Sequence, residues 1–141
     1  MIERASFAAA ALVFAPSCGA DLRAAELACQ ERLVQASEAV RANPREAGLA
    51  AIFARTSDNL AQMPLEGCTE GQRSSAGALQ RMTRQLAVQA GKIGDPLRAM
   101  ESRPEPSRSQ DILEFTALLE QFEARRRILR QDLERMTSEA K

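Results

Sequence analysis

Apolar residues along this 141-residue chain recur at spacings of three and four, the period of an α-helix, and no alternation lasts long enough to predict a strand. A first helix is predicted from about Asp21 to Ala42, with Leu22, Ala25, Cys29, Leu33, Ala36 and Val40 on one face. Asn43-Pro44-Arg45-Glu46 then stops one helix and starts the next. Asn43 can cap, Pro44 fits the first helical position, and Glu46 can reach back to the cap. The second helix extends to about Met63, turns Leu49, Ile52, Phe53, Leu60 and Met63 inward, and is ended by Pro64. A connector, Pro64 to Gly71, leads to a third helix at about Gln72 to Lys92. That helix packs Ala76, Leu79, Met82, Leu86 and Ala90, then Ile93, and frays at Gly91 and Gly94.

Residues 94–108 read as an exposed linker, because Pro104 and Pro106 forbid a regular helix there. Ser107 and Gln110 fit a capping box that opens the fourth and longest helix, which runs to about Thr137. Ile112, Phe115, Leu119, Phe122, Leu129, Leu133 and Met136 follow a coiled-coil seam, with Arg126 at one inward position. Roughly 30 residues give ~45 Å, against ~30 Å for the other helices. The last turns are therefore expected to overhang an antiparallel up-down four-helix bundle, leaving Leu129, Leu133 and Met136 as an exposed, partner-binding strip.

The first twenty residues break from this pattern. Met1-Ile2-Glu3-Arg4 precedes an apolar run, Ala5 to Ala15, and Pro16-Ser17-Cys18-Gly19-Ala20 ends it with small residues. That order is the order of a secretory signal peptide, and the run is too short for the ~20 residues a bilayer needs. Ser17-Cys18 resembles a bacterial lipoprotein box, although Ala15 stands where that pattern prefers Leu. Lipidation of Cys18 and plain secretion with cleavage after Ser17 or Ala20 are both open. The mature protein is then periplasmic or secreted, membrane-anchored only through a lipid on Cys18, with a single helical domain at residues 21–141. The competing reading makes the same run the first core helix of a cytosolic chaperone or adaptor.

Export changes the meaning of the cysteines. With Cys18 lipidated or removed, Cys29 and Cys68 remain as an even pair in an oxidising compartment. A short turn after the first helix brings the connector back beside Cys29, so a bridge is expected, worth ~4 kcal/mol by chain entropy. No Cys-x-x-Cys is present to favour redox catalysis.

Composition removes most chemistry. The chain has no His, Trp or Tyr, hence no His-based triad, no Glu-x-x-His di-iron motif, no His zinc pair and no heme attachment of the Cys-x-x-Cys-His type. Gly67 and Gly71 lack the spacing and the following Lys of a phosphate loop. Nineteen basic and nineteen acidic side chains cancel, so nothing draws the whole chain to nucleic acid. Basic clusters at Arg73 to Arg98 and at Arg125-Arg126-Arg127-Arg130 read as solvated faces that pair with acidic helices. Catalytic residues, cofactor and metal are all expected to be none. The expected function is a non-enzymatic accessory factor that binds another protein or itself through its C-terminal helix. A small-molecule sensor or carrier with a cavity between helices is the alternative.

Overall fold

The computed structural model describes residues 21–38, 48–93 and 106–140, all of them helical apart from short connectors. The described residues form four helices: α1 (residues 21–38), α2 (Leu49–Gln62), α3 (Glu70–Ile93) and α4 (Pro106–Glu139). No strand occurs among the described residues. The expected signal segment with Cys18, the Asn43-Pro44 turn and the linker up to Glu105 lie outside the described residues.

The inward faces of α2 and α3 follow the helical period of the sequence. Ile52, Phe53, Leu60 and Met63 are buried from α2, and Ala76, Leu79, Leu86, Ala90 and Ile93 from α3. Leu49 and Met82 are half-buried. Two threonines join this apolar face without leaving a hydroxyl unsatisfied: Thr56 Oγ1 donates to the Ile52 carbonyl and Thr83 Oγ1 to that of Leu79, each at 2.9 Å. Ser57 Oγ crosses from α2 to the Gln80 carbonyl of α3.

Helix α4 packs beside α3 and meets α2 across the core through side chains. The Phe53 ring stands edge-on to Phe115 and to Phe122, with centroids 5.9 and 6.3 Å away. These are the three Phe residues of the chain outside its first twenty residues, gathered in one cluster. From α1, Cys29, Leu33 and Val34 join them.

Three expectations need correction. Leu22 is 68% exposed, because it lies a turn before the level at which the connector meets α1 at Ala25. Helix α3 begins at Glu70, not Gln72, because Thr69 and Gln72 form a capping box: Thr69 Oγ1 accepts from Gln72 N–H and Gln72 Oε1 from Thr69 N–H. Helix α4 begins at Pro106, in the first position where a missing N–H is harmless, so Ser107 lies inside its first turn.

Candidate functional site

Two places gather the residues that carry chemistry or contact in this chain: the connector around Cys68 and the C-terminal half of α4.

At the connector, Cys29 and Cys68 are bridged across 39 residues, with Cα atoms 5.3 Å apart. Cys29 is fully buried on α1, and Cys68 is half-buried at the end of a tight turn. That turn is closed by Cys68 N–H donating to the Leu65 carbonyl at 3.1 Å, and it needs a left-handed residue at its third position. Gly67 supplies it with φ 75°, and a Cβ there would stand 2.8 Å from the Ala25 Cβ. Glycine is thus required twice, by conformation and by space.

Polar side chains tie the same turn to α1. Arg32 donates from Nε to the Pro64 carbonyl at 3.2 Å and from Nη2 to the Glu66 carbonyl at 2.9 Å, with Nη2 also 3.7 Å from Cys68 Sγ. The capping Gln72 reaches further: its Nε2 donates to the Glu26 carbonyl at 2.8 Å and to Gln30 Oε1 at 3.2 Å. Gln30 Nε2 in turn donates to the Leu129 carbonyl at 3.0 Å. One relay of amides therefore joins α3, α1 and α4, and Gln30 and Gln72 are both buried with these partners.

The C-terminal half of α4 does not overhang. Leu129 is 8% exposed and belongs to the core, Leu133 packs against that core, and Met136 is half-buried. The length difference misled because α1 lies alongside these turns: Gln30 bonds to Leu129, and Arg130 Nε lies 3.7 Å from Glu38 Oε1. Arg126 occupies its inward position fully, at 1% exposure. Its Nη1 donates to Glu123 Oε1 at 2.8 Å, and its guanidinium lies 5.6 Å from the Phe122 ring centroid. The pairing keeps the charge of Arg126 matched while its stem fills core space.

What α4 does expose lies on its opposite side. Leu113 is 66% and Ile128 56% exposed, and Ala117 and Ala124 are exposed between them. An open cleft of about 960 Å³ lies between the first turns of α1 and the last of α4, lined by Arg23, Glu26 and Leu27 facing Arg135, Met136 and Glu139. Its walls mix both signs of charge with the apolar side chains of Ala24, Leu27, Met136 and Ala140.

Arg73, Arg81, Arg84 and Lys92 are exposed along α3, as solvated faces are. Among the described residues, no group of three or more His, Cys, Asp or Glu is placed to hold a metal ion, and no helix is long and apolar enough to cross a membrane. No protein-family model, curated protein or solved structure matches this chain.

Proposed function

We propose that this protein is an exported, non-enzymatic helical accessory factor that acts by binding protein through α4. The observation that carries the reading is the pair of large apolar side chains, Leu113 and Ile128, held in solvent on a helix whose other face completes the core. Because Leu129, Leu133 and Met136 are packed inward, the contact surface is assigned to the outer face of α4. The Cys29–Cys68 bridge supports an oxidising compartment, as does the signal-like order of residues 1–20. The absence of His from the whole chain supports a binding role over catalysis. The proposed course of the chain is up-down and antiparallel, supported by the α1–α4 contacts, in which Arg23 to Leu27 face Arg135 to Ala140 and Gln30, later in α1, meets Leu129, earlier in α4.

Two measurements test this reading. Intact mass of the native protein should show an N-terminus near Cys18 or at Asp21, with the cysteines oxidised. An uncleaved Met1 with free thiols at Cys29 and Cys68 returns the protein to the cytosolic reading. A photo-crosslinking residue at position 117 should form adducts with protein in living cells, and its failure to form any overturns the binding role.

The cleft between α1 and α4 favours a second reading, a small-molecule carrier. An amphiphile that fits it should raise the melting temperature, and Met136→Arg should abolish that rise.

A further inference from the structure

The exposed face of α4 has an internal symmetry. At about 100° per residue, Leu113, Ala117, Ala124 and Ile128 fall within about 60° of one another, roughly 150° from the side that buries Phe115, Phe122 and Leu129. All four are exposed. Their numbers pair about the point between Glu120 and Gln121: Leu113 with Ile128, and Ala117 with Ala124. Gln110 and Gln131, both exposed, close the stripe at equal distances from the same point. Large, small, small, large, bounded by amides, the stripe reads alike in both directions over about 22 Å.

Such a surface is complementary to itself when a second copy lies antiparallel, because a two-fold axis sets residue i against j and j against i. We propose that the partner of this face is a second copy of the chain, paired antiparallel along α4 about the Glu120/Gln121 midpoint. Leu113 of each copy then packs on Ile128 of the other, and Ala117 on Ala124. Alanines at the centre let the helix axes approach near the short end of the usual 8–10 Å.

The charges agree with this arrangement. Glu120 and Arg127 lie on one flank of the stripe and are both exposed. Side chains on a helix lean toward its N-terminus, so in an antiparallel pair Glu120 of one copy and Arg127 of the other lean toward each other. The axis brings together two Glu120 and two Arg127, a neutral group in which each carboxylate meets an opposite charge. This inference deepens the proposed binding role of α4 and rests on it.

The test uses the oxidised full chain carrying Cys18→Ser, so that no free thiol intrudes. Sedimentation should show the mass moving from one copy to two as concentration rises through the micromolar to millimolar range. The double variant L113R/I128R should stay monomeric at every concentration while its circular dichroism and melting remain unchanged. Glu120→Arg or Arg127→Glu alone should weaken pairing, and E120R/R127E should restore it. Mild oxidation of an equal mixture of A117C and A124C chains should give a disulfide-linked heterodimer, and neither chain alone should cross-link efficiently. A chain that stays monomeric throughout overturns self-pairing, and so does a dimer that survives L113R/I128R or cross-links at 117 to 117. If the monomer instead forms adducts with a different protein from position 117, self-pairing falls while the accessory role of α4 stands. If it forms none, both fall.

Discussion

Between Cys29 and Gln72 the molecule is tied by one covalent bond and by side-chain amides and a guanidinium reaching main-chain oxygens, whereas α4 is tied chiefly by rings and aliphatic groups fitting one another. The connector has little apolar surface to bury: Pro64, Leu65, Glu66 and Gly67 are all exposed. It keeps its place through directional contacts that fix the path of the main chain. Helix α4 carries Phe115, Phe122 and Leu129 inward and keeps its place through volume. The two regions should therefore respond to different kinds of damage, the connector to lost geometry and α4 to lost bulk.

The largest effect is expected at Phe122. Truncation to Ala removes a fully buried ring that touches Phe53 and covers Arg126, and should cost about 3–5 kcal/mol in chemical denaturation. A cost under about 1 kcal/mol would mean that α4 is not held by volume. Next comes the double change C29A/C68A. It should cost about 2–4 kcal/mol through a looser unfolded chain, read as a lower melting temperature with unchanged helix content. A separate melting step for α4 in that variant would break the comparison, since it would show the two regions to be independent. The smallest effect is expected for Gly67→Ala, about 1–3 kcal/mol from the left-handed backbone and the contact with Ala25. It sharpens the contrast because one added methyl at an exposed position should cost far more than surface changes usually do.

The contrast also explains which features were legible in the sequence. Periodicity marks volume, so the inner faces of α2, α3 and the first half of α4 could be read directly, down to Arg126 at an inward position. Cys29 with Cys68 was legible because a turn between two helices of similar length returns the chain to its starting level. Directional contacts carry weaker signals. Thr69-Glu70-Gly71-Gln72 has the spacing of a capping box, yet it sits among glycines and a threonine that also suit a loop. The burial of Leu129 was hidden for another reason. Helix lengths alone do not say how far one helix slides along its neighbour, and the amide relay through Gln30 is what records that offset. The outer stripe of α4 was written in the sequence too, but alanines and two separated aliphatic residues look like ordinary surface until the inner face is fixed.

The contact between Gly67 and Ala25 carries a consequence for descent. Two positions 42 residues apart share one small volume, so evolution cannot vary them independently. A relative that keeps any side chain at position 25 should keep glycine at 67. Where position 67 has drifted to Asn, the side chain best able to hold a positive φ, position 25 should have become glycine. The same pairing should fade in relatives that have lost both cysteines, because nothing then holds the turn against the helix.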